Sequence, residues 1–394
     1  MAQRVKMIDG MRGFSLLGIL IANMLIFQYG IFGKDKIEQF QLSTVNEVAY
    51  VWIKVFVEHS FIPIFMFLFG YSMIKLKEKL ERNGQKVKRH FVRRFLLLIA
   101  FGLLHSIFVW EGDILLTYGS IGLLMLLFLN RKKKTLLIWA LLLGLIASLL
   151  SYGSYTQTAA EEKQMTSYIQ KANQIYANGS YIDIYEFRNS GEFPYDIPDY
   201  LYLIIILILP LAVAPMFLLG MYAAKSEWFT NPKRERKKYT LFSLLFLPLG
   251  IALKSLLYLF PDSPWSGTAY ELGAYFLAIG YIFSFATLYT KEDPGLLPLF
   301  EKAGHLSMTN YLVQSMICTT IFYGYGLGFF GKIGVLYGFL LAVAIYGLQL
   351  LTTHYYLKIW KMGPFEKLMR IGTYFTWDGT PKIKMNLKQI EKSI

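Results

Sequence analysis

Ten long apolar stretches decide what this chain can fold into; they lie at 13–31, 48–74, 91–110, 113–130, 134–153, 199–224, 241–260, 270–289, 306–329 and 334–359. About 20 such residues cross the hydrocarbon core of a bilayer as one helix. Inside lipid, only helices and closed barrels satisfy every backbone group. The prediction is therefore an all-α, polytopic bundle with about ten transmembrane helices. Charged residues make up 17% of the chain, against roughly 25% in soluble domains. Arg4, Lys6 and Arg12 precede the first stretch as in a secretory leader, but its apolar run is too long for one, so it reads as an uncleaved first span.

A formal net charge of +14 taken alone suggests a nucleic-acid partner, and the placement of the charges argues against it. With the N-terminus in the cytoplasm, 32 of the 40 Lys and Arg fall on the inner side. They are Arg4, Lys6 and Arg12, the group between Lys75 and Arg94, Arg131–Lys134, the group between Lys225 and Lys238, Lys291, Lys302, and those from Lys358 onward. Six fall outside (Lys34, Lys36, Lys163, Lys171, Arg188 and Lys332), while Lys54 and Lys254 lie within spans. This is the positive-inside asymmetry. It predicts cytoplasmic termini, with basic loops against anionic membrane lipids rather than nucleic acid. The loop 225–238 divides a six-span half, 1–225, from a four-span half, 226–394, and the outer segment 155–198 reads as a partly helical cap.

Polar residues within spans carry the functional information, since each is costly in hydrocarbon unless paired or hydrated. His105 sits about 20 Å along its helix from Phe91, which suits either a general base or nucleophile or a helix-bridging group. Asp113, just beyond Gly112, is placed to orient that imidazole across a tight turn or to be solvated at the boundary. Arg12, Arg93 and Arg94 mark the cytoplasmic end. Their planar donor forks match phosphate, so they are candidates to hold a phosphorylated co-substrate such as coenzyme A, or else anchors that snorkel to headgroups. Asp9 and the glycines at 10 and 13 suggest close packing around Arg12. Asn310 and Gln314 share one helix face and either line a cavity with the arginines or bridge helices. Lys54, Glu58 and His59 form a second group, with Lys54 and Glu58 spaced to pair. No P-loop, dinucleotide fingerprint, HExxH or C-x-x-C is present, and Cys318 is the single cysteine, so no bound metal is expected.

The opening Arg4-Val-Lys-Met-Ile-Asp9-Gly-Met-Arg12-Gly, Phe65-Met-Phe-Leu-Phe-Gly70 and Gly102-Leu-Leu-His105 through Trp110-Glu-Gly-Asp113 resemble the YeiB family of bacterial membrane proteins. Gly304-His-Leu-Ser-Met-Thr-Asn310-Tyr-Leu-Val-Gln314 and Gly363-Pro364-Phe-Glu366-Lys-Leu-Met-Arg370 resemble that family's C-terminal domain of unknown function, family 418. The resemblance implies kinship with transmembrane acyltransferases related to heparan-α-glucosaminide N-acetyltransferase. It implies a bacterial plasma-membrane location and acyl transfer from cytoplasmic acyl-CoA to an envelope glycan, lipid-linked sugar or small acceptor at the outer face. It places Asp9, Arg12, His105 and Asp113 at motif positions. Ser60, Lys367 and Met369 depart from the pattern, standing where a basic residue and two tryptophans are usual. The competing expectation is a transporter with a proton or solute path through Lys54, Glu58, His59 and His105.

Overall fold

The computed structural model describes residues 6–153, 158–195, 213–293 and 295–380. Every helix and turn of regular structure among them is helical: α1 (Lys6–Gly33), a 3-10 turn (Ile37–Phe40), α2 (Thr44–Phe56), α3 (Phe61–Arg82), α4 (Val87–Phe108), α5 (Leu115–Met125), α6 (Lys133–Leu149), α7 (Ala159–Asn178), α8 (Tyr181–Asn189), α9 (Val213–Lys225), α10 (Pro232–Leu259), α11 (Ser266–Tyr289), α12 (Leu297–His305), α13 (Ser307–Phe322), α14 (Gly334–Ile359) and α15 (Pro364–Tyr374).

Six segments among the described residues are long and apolar enough to cross a membrane: α1, the α2–α3 pair, α4, α10, α11 and α14. The chain is thus a helical membrane protein, and its outward faces agree, since Leu141 of α6, Leu244 of α10 and Leu348 of α14 are each more than 60% exposed. Apolar surface of that extent suits a lipid solvent. The other predicted stretches meet shorter helices. The stretch 113–130 holds the 11-residue α5, followed by turns to Asn130. The stretches 134–153 and 306–329 hold α6, of 17 residues, and α13, of 16. The stretch 199–224 lies outside the described residues up to 212 and continues as α9. The stretch 48–74 breaks at 57–60, where the buried Lys254 ammonium of α10 donates to the Glu58 carbonyl and, at 3.1 Å, to Ser60 Oγ. A lysine inside a span therefore has a local cause: it satisfies backbone that the break leaves unpaired.

Helix α1 is the central strut. It packs against α3, α12, α13 and α14, so its N-terminal turns lie within the C-terminal part of the fold. Glycine permits that approach, because a Cβ on Gly13 would overlap the Phe300 carbonyl and one on Gly304 the Asp9 carbonyl. Small residues at such crossings let membrane helices meet backbone to backbone. Tyr346 Oη of α14 then donates to the Gly13 carbonyl at 2.5 Å.

The bundle has two distinct ends. At the basic end, the start of α1 and α4 meets the end of α3, with α15 lying across them. At the opposite, capped end, α7 and α8 cover the C-terminus of α4. Each of these two helices starts on a capping box, Thr158 with Glu161 and Ser180 with Asp183. Arg188 donates to the Val109 and Ile107 carbonyls at 2.6 and 3.0 Å, and Tyr181 Oη donates to the Phe108 carbonyl at 2.7 Å. These are carbonyls at the end of α4 that have no partner within the helix. The cap thereby fixes the turn that leads into Asp113.

Candidate functional site

The turn 109–114 brings α4 back on itself as α5 and sets an acid beside an imidazole. Trp110, fully buried, stacks on Phe27 of α1 with ring centroids 4.2 Å apart, which anchors the turn in the core. Gly112 faces the Trp110 ring where a Cβ would collide with it. Gly102 on α4 leaves room for Asp113, whose Oδ1 lies 2.7 Å from where a Cβ would stand. Asp113 Oδ1 accepts from the Leu116 backbone N–H at 2.8 Å, closing the start of α5, and Oδ2 lies 2.8 Å from His105 Nδ1. Both side chains are 2% exposed. A carboxylate only accepts, so Nδ1 carries a proton, and in the neutral ring Nε2 is then the acceptor. That Nε2 is buried without a hydrogen-bond partner among the described residues, as are Trp110 Nε1 and Tyr118 Oη. Buried polar atoms left unpaired cost about 1–3 kcal/mol each, so these three around one turn are candidates for a hydrogen bond to a substrate or water.

A cavity of about 430 Å³ opens at the basic end and runs toward this turn. It is walled by α1, α3, α4, α5, α12, α13 and α15. Along α3 its lining extends from Leu76 to Phe65, about 16 Å of helix. Arg12, Arg94 and Arg370 stand at the mouth with Ser72 and Glu366, while Phe65, Phe69, Phe95 and Leu98 make the interior apolar. Arg12 donates to Asp9 and to Ser72, both at 2.9 Å. Arg94 donates no hydrogen bond to a described residue, and Arg370 makes a 3.9 Å contact with Met362 Sδ. Glu366 is committed elsewhere: its carboxylate accepts from the Met308 and Thr309 backbone N–H groups at 2.9 and 3.1 Å, at the start of α13, where a negative charge is favoured. Three guanidinium groups therefore face one carboxylate pinned to a helix end and one paired with Arg12, which leaves the mouth positive. At the deep end, Tyr118, Tyr311 and the Ile114–Leu115 backbone form a floor. His105 lies just behind that floor, its ring 5.6 Å from that of Tyr311. Tyr311 Oη accepts from the Ile114 N–H at 3.1 Å, so the same residue shapes the floor and holds the turn.

The expected site residues sort as follows. Arg12 and Arg94 line the cavity, Asp9 braces Arg12 from behind, and His105 with Asp113 backs the floor. Arg93 points away and stacks on the Phe375 ring at 4.2 Å. Asn310 and Gln314 do not line the cavity; they join α13 to α14. Gln314 Nε2 donates to Gln349 Oε1 at 2.8 Å, Gln349 Nε2 donates to the Asn310 carbonyl at 3.1 Å, and Asn310 Nδ2 donates to the Ala303 carbonyl at 3.1 Å. Arg370 and Glu366 lie in the Gly363–Pro364 motif, where the sequence assigns them no role. Their spacing of one turn on the amphipathic α15 sets both on one face, and the fold brings that face to the mouth. Ser72, Tyr118 and Tyr311 carry no such signal. The Lys54 group forms a separate cluster near the capped end. There Glu58 accepts from Lys54 at 2.6 Å and Lys34 at 2.9 Å, and His59 Nδ1 lies 2.7 Å from Glu271. No hydrogen bond or ion pair among the described residues joins it to His105.

Residues 223–376 match the family model described as "Protein of unknown function (DUF418)". The chain is 33% identical to the uncharacterized protein YxaH of Bacillus subtilis (strain 168), over 96% of each chain. It is 26% identical to the uncharacterized protein YeiB of Escherichia coli (strain K12), over 93% of this chain and 96% of the relative. It is also 27% identical to an uncharacterized 39.9 kDa protein in the amylase 3' region of Bacillus acidopullulyticus, over 94% of each. No solved structure matches the chain.

Proposed function

The chain belongs to the YeiB-like family that carries the DUF418 domain, and from that premise we propose that it is a transmembrane acyltransferase of the bacterial plasma membrane. In this reading the basic end faces the cytoplasm, as the positive-inside rule favours, and both termini lie there. The count of crossings is the ten expected from hydropathy, with the shorter helices completing those that the six long segments begin. The donor is cytoplasmic acyl-CoA, and the acceptor is a hydroxyl or amine of an envelope glycan or lipid-linked sugar at the opposite face.

One observation carries the reading: an apolar cavity with three guanidinium groups at its mouth ends at a floor backed by a buried imidazole whose Nε2 has no hydrogen-bond partner among the described residues. The donor set fits the proposed co-substrate. Arg12, Arg94 and Arg370 suit phosphate groups, and the Phe- and Leu-lined interior suits an uncharged arm and acyl chain. Coenzyme A supplies an activated thioester with a good leaving group. The protein supplies the rest. Asp113 holds the imidazole in one tautomer, and His105 Nε2 takes the proton from the acceptor as it attacks, then returns it to the departing thiolate, or receives the acyl group itself. Because Tyr311 and Ile114 separate His105 from the cavity, transfer requires that floor to shift.

Purified protein mixed with acyl-CoA, with free thiol followed by a chromogenic reagent, is expected to release coenzyme A above the protein-free rate. A protein that neither hydrolyses, exchanges nor binds acyl-CoA contradicts the reading. Proton-coupled flux in liposomes that disappears in Glu58→Gln would point to transport instead.

A further inference from the structure

A second recess lies at the basic end, separate from the arginine-mouthed cavity. It encloses about 660 Å³ between the end of α3, the α5–α6 connection and the end of α9. Lys75, Arg131, Lys132, Lys133 and Lys225 face it, against Glu78 and Glu227. The acids do not cancel the cations: Glu78 is paired to Lys75 at 3.2 Å, which leaves four cations against Glu227. Lys225 is held in place by two backbone carbonyls, donating to Arg131 O at 2.6 Å and Leu129 O at 3.2 Å, neither of which neutralises its charge. The recess is a concave positive site in which Lys225 is held in place and Arg131, Lys132 and Lys133 are exposed.

What lies beside it identifies the ligand. One turn before Asn130, Leu127 is 68% exposed, and on α6 above Lys133 the side chains Ile138 and Leu141 are 63% and 66% exposed. The two segments that flank the basic connection 130–133 thus carry an outward-facing apolar wall. A phosphate-bearing headgroup in the recess would send its acyl chains along that wall, whereas a water-soluble anion would leave the wall unused. Basic pockets between helices at the cytoplasmic boundary are where anionic headgroups are held. We propose that the recess between α3, α6 and α9 is a binding site for an anionic glycerophospholipid, its phosphate held by Arg131, Lys132, Lys133 and Lys225 and its acyl chains lying against α6. This site is independent of the acyl-transfer reading, since none of its residues lines the other cavity.

The test is native mass spectrometry of the full chain released from detergent containing equal amounts of phosphatidylglycerol and phosphatidylcholine. Wild type is expected to retain phosphatidylglycerol about tenfold over phosphatidylcholine, as a few cations near one headgroup suffice for that ratio. The triple variant Arg131→Gln/Lys132→Gln/Lys133→Gln should lose the preference. The single charge reversal Lys132→Glu, on an exposed side chain, should lower it severalfold and serves if the triple variant does not fold. Lys86→Gln/Lys88→Gln/Arg89→Gln, which removes the same charge outside the recess, should leave it unchanged. Equal retention of the two lipids by wild type, equal loss in both triple variants, or displacement by millimolar inorganic phosphate would each overturn the proposal.

Discussion

His105→Ala is expected to lower thioester turnover by about 10²–10⁴-fold, the range a positioned general base supplies, while the protein still elutes as wild type and melts somewhat lower, because the buried Asp113 carboxylate loses its partner. The expectation rests on how the ring is held. Its Nδ1 is bound to Asp113 at 2.8 Å and its Nε2 has no partner among the described residues. An imidazole kept to bridge helices would have both nitrogens satisfied. His105 does not line the cavity, so its loss should leave the KM for acyl-CoA close to wild type and fall on kcat, the pattern of an interaction made in the transition state. Turnover of His105→Ala at the wild-type rate would reduce the ring to a structural role.

Arg94→Gln raises the KM for acyl-CoA about tenfold or more with little change in kcat, since a hydrogen bond to a charged group contributes about 1.5–3 kcal/mol. Arg94 is the cleaner choice among the three mouth arginines. Arg12 also braces Asp9 and Ser72, so Arg12→Gln mixes binding with packing of α1. Arg93→Gln is the matched control: it removes the same charge one residue away, but Arg93 stacks on Phe375 and not in the cavity. Initial-rate measurements across acyl-CoA concentrations separate the two variants. An equal effect of Arg93→Gln and Arg94→Gln would assign the arginines to general surface attraction.

Hydropathy and charge placement carried the helical membrane class, because length and polarity of a stretch are local properties. The His105–Asp113 pair was partly legible: Gly112 and eight residues of separation allow a tight turn that joins the two, but they also allow an acid solvated at the boundary. The arginine mouth was half legible. Arg12 and Arg94 were found as basic residues at span ends, but Arg93 has the same local signature, and helical phase alone did not say which of the two faces inward. Arg370 and Glu366 come from a helix that begins 277 residues after the start of α4, and only the fold brings them to Arg12. Asn310 and Gln314 show the opposite case. Amides one turn apart fit a cavity and a helix bridge equally well, and their partner Gln349 is set by the packing of α14 against α13. Broken and short helices escaped a reading based on apolar length, since the break at 57–60 is stabilised by Lys254, which lies almost 200 residues away.

We propose that the arginine-mouthed cavity receives acyl-CoA with its acyl end toward His105. The most direct measurement is density for a non-hydrolysable acyl-CoA thioether bound to the purified protein. Phosphate density is expected among Arg12, Arg94 and Arg370, with the chain running past Phe69 and Phe95 toward Tyr118. Density in the basic recess instead, with the cavity empty at saturating ligand, would contradict it.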